Sequence, residues 1–277
     1  MGDNQHHQDG TKNVHAGTNH VGESVNTPIF LSSTYKLTEE RYAGWAAGAQ
    51  HTLLYSRLSS VNSDAVAQKI CAMEGGEDAE TFASGMAAIS STLMMLLSQG
   101  DHMVASADVY GGTYGLITAE LPRFGIETTM ADMTDPSSYE AAIQPNTKIL
   151  YIETITNPNL KVCDIPAMVE LGKRHNLIVI IDNTFASPWA CKPLSMGVDL
   201  VIHSTTKYLG GHSDLIGGAV VGSKELISKI FMGRVHFGGS PDPHNCYLLE
   251  RGMRTLHARM PLLTSNAATL AQRLDTH

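Results

Sequence analysis

From Val61 onward, stretches whose apolar residues recur every three or four positions alternate with short β-branched runs. The first pattern predicts helices at Ser63–Met73, Met86–Leu97, Tyr114–Arg123, Ser137–Ala142, Ile165–His175 and Lys224–Gly233. The second predicts strands at Asp101–Ser106, Glu127–Met130, Thr147–Ile152, Leu177–Ile181 and Asp199–His203. Alternation of this kind argues for an α/β doubly wound fold with a mainly parallel sheet and helical crossovers. The run from Leu177 to Ile181 is apolar at every position, as expected for a strand covered on both faces.

The ends of the chain read differently. Residues 1–60 are polar and glycine-rich, with two short apolar patches at Ile29–Leu31 and Leu53–Tyr55, and predict an extended N-terminal arm rather than a domain. Residues 61–257 form the large domain. In 258–277, Leu262, Leu263, Ala267, Leu270 and Leu274 have helical spacing and read as the start of a further domain.

Composition narrows the function classes. Of 277 residues, 43% are hydrophobic and 17% charged, which suits a globular protein and not a disordered one. The net charge of −8 disfavours nucleic acid or anionic lipid as a partner, so any phosphate must be caught locally. Cys71, Cys163, Cys191 and Cys246 are scattered without metal-type spacing and read as reduced core residues, so no metal is expected. The polar N-terminus and the lack of a long apolar helix predict a cytoplasmic protein without membrane contact.

Candidate chemistry lies at the strand ends. The strand ending at Asp182 puts a carboxylate on the rim where parallel sheets bind ligands, although an aspartate there can also simply cap a turn. The next strand runs into Ser204-Thr205-Thr206-Lys207, adding hydroxyls and an amine to that rim. A lysine held in a dry pocket or near another cation loses its proton readily, and only the neutral amine forms an imine with an aldehyde, so Lys207 is the candidate nucleophile. Ser84-Gly85-Met86 opens an apolar helix whose free N–H groups suit a phosphate, though Ser84 also reads as a plain N-cap. Tyr110, on a glycine-rich turn, is a stacking partner for a ring or else a packing residue.

The ordered motifs Tyr55-Ser-Arg57, Ser84-Gly85-Met86, Asp108-Val-Tyr110-Gly111-Gly112, Glu153-Thr-Ile-Thr-Asn157-Pro158, Asp182-Asn-Thr-Phe and Ser204-Thr-Thr-Lys207-Tyr resemble the Cys/Met metabolism (transsulfuration) family of pyridoxal-phosphate enzymes. The resemblance implies the aspartate-aminotransferase-like fold of type I, with a mostly parallel seven-stranded sheet flanked by helices. It implies pyridoxal 5'-phosphate as a Schiff base on Lys207, Asp182 on the pyridine nitrogen, and Tyr110 stacked on the ring and assisting proton transfer. It further implies Asn157 near the ring's phenolic oxygen, a phosphate cup of Gly85, Met86, Ser204 and Thr206, and Glu153 and Tyr55 close to the substrate. Tyr55 and Arg57 would reach across from a neighbouring subunit of a homotetramer, a dimer of dimers.

The activity so implied is carbon–sulfur bond cleavage by γ-elimination on cystathionine or a related amino acid. Alternatives are a γ-replacement transferase, such as a cystathionine γ-synthase or O-acetylhomoserine sulfhydrylase, and a non-catalytic cofactor-binding fragment. Two departures bear on the substrate. Ser60-Val61-Asn62 stands where the family usually has Asn-Pro-Thr, and Gly112 stands where methionine-cleaving members carry cysteine. The resemblance also implies a smaller C-terminal domain lying largely beyond His277, with the arginine that grips the substrate carboxylate.

Overall fold

The computed structural model describes residues 2–277. Its strands are β1 (Asp78–Phe82), β2 (His102–Ser106), β3 (Glu127–Ala131), β4 (Thr147–Glu153), β5 (Ile178–Asp182), β6 (Leu200–Ser204) and β7 (Gly218–Gly222). They form one seven-stranded sheet in the order β1-β7-β6-β5-β4-β2-β3. From β3 to β6 all pairings are parallel, and β7 is antiparallel to both β6 and β1. Two antiparallel steps restore direction, so β1 ends at the same rim as the parallel strands.

The helices are α1 (Gly2–His15), α2 (Glu39–Ala46), α3 (Val61–Glu74), α4 (Gly85–Leu96), α5 (Gly111–Gly115), α6 (Pro136–Ala142), α7 (Ile165–His175), α8 (Ser187–Ala190), α9 (Lys224–Phe237), α10 (Pro243–Met253) and α11 (Leu256–Asp275). On one face of the sheet, Ile89 and Leu93 of α4 and Ile227 and Ile230 of α9 pack with Met103, Ile149, Ile180 and Ile202. On the other, Tyr139 of α6 and Met168 and Leu171 of α7 pack with Leu150, Val179, Ile181 and Val201. Successive residues of β5 thus serve opposite faces, which is why its apolar run is unbroken. Burying each such side chain contributes about 2 kcal/mol. A third cluster, from α3, α10 and the start of α11, covers the β1 and β7 end of the sheet.

Several expectations are corrected. The segment 1–60 is not extended throughout, since α1 and α2 both lie in it. The sequence of α1 carries little apolar pattern, and tertiary contact supplies what the pattern lacks. Lys69 of α3, fully buried, donates to the carbonyls of Asn13 and Val14 at 3.2 Å each and so caps the last turn of α1. The expected helix Tyr114–Arg123 is irregular, with a π-turn at Leu116–Glu120 and a 3-10 turn at Leu121–Phe124 around Pro122. The strands β1 and β7 and the helix α10 were not anticipated from the pattern, and α11 begins at Leu256, two residues before the expected segment 258–277. Among the described residues no helix is long and apolar enough to cross a membrane.

Candidate active site

The C-terminal ends of β1, β2, β4, β5 and β6 share one rim, and each ends in, or is followed by, a candidate residue. A cleft of about 260 Å³ there is lined by Ser84, Gly85, Met86, Tyr110, Glu153, Asn157, Asp182, Ser204, Thr206 and Lys207. Ten of the twelve candidate residues read from the sequence therefore meet in one place, although the chain spaces them from position 84 to 207.

Asp182 sits half-buried at the end of β5. Its Oδ1 accepts the N–H of Thr184 at 2.9 Å and the Thr184 hydroxyl at 2.5 Å. Burial pushes this carboxyl up, and the two Thr184 donors and nearby His203 pull the other way. Thr184 Oγ1 also accepts the N–H of Ser204 at 2.8 Å, tying the acid to the segment that carries Lys207. Thr184 was overlooked in the sequence reading, although a threonine two residues after a strand-ending aspartate is a known turn signal.

Ser84 is the N-cap of α4, its Oγ accepting the N–H of Ala87 at 3.0 Å. The first-turn N–H groups of Gly85 and Met86 have no intrahelical acceptor and form the positive end of the helix dipole. The chain approaches itself closely here: a Cβ on Gly85 would lie 2.9 Å from Ser204 Cβ and 3.1 Å from its Oγ. Glycine keeps that cradle open. Thr206 Oγ1 is engaged with the main chain of Gly217, accepting its N–H at 3.1 Å.

Lys207 is exposed at the mouth of the cleft, so the dry recess expected for it is not there. An adjoining hollow of about 750 Å³ runs from Lys207 to Arg259 and Leu263. Arg259 is already committed, donating to Tyr208 O, Gly252 O and Thr255 Oγ1 at 3.0 Å each. Tyr110, 47% exposed, lies across the cleft, and Gly112 leaves room for its ring, since a Cβ there would fall 2.6 Å from Tyr110 Cε1.

Glu153 lines the cleft but is itself buried, and its Oε1 accepts the N–H of Tyr110 at 2.8 Å. Burial, with the charge of Asp182 next, pushes it up to about 8. Tyr55 and Arg57 do not join the cleft; both are exposed, with the Arg57 guanidinium 5.4 Å from the Tyr55 ring centre. Ile89, Ile155, Phe185 and Ile216 complete the lining, and no chemical signal marked them in the sequence.

An amine, a half-buried acid and an anion cradle at one sheet rim suit an α/β protein that holds a phosphorylated ring cofactor. The family model for "Cys/Met metabolism PLP-dependent enzyme" matches residues 10–277. The L-methionine γ-lyase of Porphyromonas gingivalis is 40% identical over 273 residues, covering 96% of this chain and 68% of that enzyme. The cystathionine γ-lyase of Bacillus subtilis is 44% identical over 255 residues, covering 92% and 65% respectively. The crystal structure of cystathionine γ-lyase from Lactobacillus plantarum complexed with L-serine matches with a TM-score of 0.90 at 42% identity, covering 97% of this chain and 69% of that one. The chain spans about two thirds of the length of these relatives.

The chain belongs to the Cys/Met metabolism family of pyridoxal-phosphate enzymes, and its cofactor is pyridoxal phosphate. The residues present fit that group: the Gly85–Ser204 approach leaves a cradle for a phosphate, and Asp182 offers a carboxylate on the same rim as the Lys207 amine.

Proposed function

We propose that this chain is the cofactor-binding part of a carbon–sulfur lyase that cleaves cystathionine or a related amino acid by γ-elimination to a 2-oxo acid, ammonia and a thiol. The observation that carries the reading is the meeting of Lys207, Asp182, Tyr110 and the Ser84–Gly85 turn in one cleft. The lyase names of the relatives support the reaction class. A Cβ at Gly112 would meet Tyr110 Cε1 at 2.6 Å and Met86 Sδ at 2.9 Å, so the cysteine of methionine-cleaving members has no room there, which favours cystathionine over methionine as substrate.

Pyridoxal phosphate, when bound, supplies an electron sink that acidifies the substrate's Cα–H. The Gly85 and Met86 N–H groups, with Ser204 and Thr206, hold the phosphate. Ser84 shapes that turn through its cap. The Asp182 carboxylate holds a proton at the ring nitrogen, and Thr184 aims it. Asn157 would lie beside the ring oxygen, and Tyr110 would cover the ring face. Lys207 Nζ would take the Cα proton and then a Cβ proton and return one at Cγ, while the Tyr110 hydroxyl would give a proton to the sulfur as the Cγ–S bond breaks; hydrolysis of the resulting enamine gives the 2-oxo acid and ammonia. Tyr55 and Arg57 belong to the neighbouring subunit's site in a homotetramer, a role that suits an exposed guanidinium on a segment outside the cleft. The four unpaired cysteines suit a reducing compartment, and we place the protein in the cytoplasm.

Incubation with cystathionine, with methionine, and with O-acetylhomoserine plus sulfide tests this. Release of 2-oxo acid and thiol from cystathionine alone is expected. A thioether or thiol product without 2-oxo acid assigns γ-replacement instead, and a coloured protein with no turnover assigns a cofactor-binding fragment.

A further inference from the structure

Glu153 is a cleft residue to which the reaction above gives no part. It ends β4, is 4% exposed, and lies in register beside Asp182 of β5. It makes no hydrogen bond to Asp182. Instead its Oε1 accepts the main-chain N–H of Tyr110 at 2.8 Å, and the main chain at Asn157 lies close enough to favour its charged form. A buried carboxyl group is costly unless its oxygens find donors, and here the donor bonded to Oε1 comes from a different loop than the one Glu153 leads into. One loop follows β2 and carries Tyr110; the other follows β4 and carries Asn157. Because β2 and β4 are sheet neighbours, Glu153 stands where both loops leave the rim.

The same two loops are tied a second time further out. Lys161 Nζ lies 2.7 Å from Asp108 Oδ2, and Asn159 Nδ2 donates to Asp108 Oδ1 at 2.6 Å. That outer tie is partly exposed and screened by water, whereas the inner one is dry. Burial and the Asp182 charge raise Glu153 far enough that, near neutral pH, it sets little negative charge against the acid beside it.

We propose that Glu153 is a positioning residue that clips the Tyr110 and Asn157 loops together and so fixes, from outside the reaction itself, how the two side chains flank the cofactor ring. This rests on the roles given above to Tyr110 and Asn157.

The test compares Glu153→Ala, Glu153→Gln and Asp108→Asn, with urea unfolding as the check on folding. Amide hydrogen exchange is read at Tyr110 and Asn157, first without and then with pyridoxal phosphate, and cofactor affinity is measured by absorbance titration. Glu153→Ala is expected to speed exchange of both amides and to weaken the cofactor about tenfold, the worth of one hydrogen bond. Glu153→Gln, which keeps one acceptor oxygen, recovers part of the loss, and Asp108→Asn has the smaller effect. In a Tyr110→Ala background, removing Glu153 costs the cofactor less than about threefold further, because the side chain it positions is already gone. Wild-type exchange at both amides, or full additivity with Tyr110→Ala, overturns the proposal. Exchange on the cofactor-free chain keeps this separate from the functional reading: failure of the cofactor to join Lys207 sinks that reading and leaves the clip standing.

Discussion

Thr184 and Asp182 are joined twice at one oxygen, by the N–H of Thr184 at 2.9 Å and by its hydroxyl at 2.5 Å, while that hydroxyl accepts the N–H of Ser204. One side chain therefore aligns the acid of β5 with the segment after β6. Thr184→Val keeps the volume and removes both hydroxyl bonds, leaving the Ser204 N–H unpaired. A loss of about 1–3 kcal/mol in urea unfolding is expected, with weaker cofactor binding. Thr184→Ser restores most of both.

Gly85→Ala tests the anion cradle. The added methyl group meets Ser204 at 2.9 Å, and main chain on both sides restricts its escape. Stability falls by about 1–3 kcal/mol, as for other overpacked sites. Affinity for pyridoxal phosphate falls, whereas affinity for pyridoxal, which has no phosphate, stays near wild type. Parallel absorbance titrations with the two aldehydes make the comparison.

Arg234 and Glu80 form an ion pair at 3.1 Å with each side chain 1% exposed, and Arg234 also donates to the carbonyl of Leu58. Removing one partner strands a buried charge, so Arg234→Met or Glu80→Leu alone costs about 3–5 kcal/mol. The double variant returns close to wild-type stability in urea, since apolar packing replaces the pair. It does not restore the bond to Leu58, so trypsin cleaves after Arg57 faster in the double variant than in wild type.

Stability falls as pH rises across the neutral range. Burial pushes Glu80 up to about 7, Glu153 is raised to about 8, and the Asp64 carboxylate raises His51. Each binds more protons folded than unfolded, so each contribution is present at low pH and lost as pH passes the folded value. Urea midpoints should therefore decline from about pH 5 to about pH 8, the Glu80 part being about 3 kcal/mol at most. Glu80→Gln flattens the decline. Lys69 acts beyond this window, being lowered to about 8 by burial. Its charged form is penalised in the fold, so its contribution improves as pH rises above about 8.

The parts of the fold legible in the sequence are those where one residue's environment is set by its near neighbours. The apolar runs of β5 and β6, and the acid and lysine just after them, are such cases. β1 was hidden because Asp78-Ala-Glu-Thr-Phe looks polar, and Glu80 is buried only because Arg234, far along the chain, meets it. β7 is short and bounded by glycines, and α1 depends on Lys69 for its final turn. The cleft was read from motif order, yet the link made by Thr184 and the main-chain grip of Glu153 depend on which loops the sheet sets side by side. Tyr55 and Arg57 lie outside the cleft, and one chain gives them no partner for the role proposed.

Reduction with borohydride in the presence of pyridoxal phosphate, followed by peptide mapping, tests the central claim most directly. The account predicts the pyridoxyl group on the peptide containing Lys207, and no label there in Lys207→Ala. A label on another lysine, or on none, contradicts it.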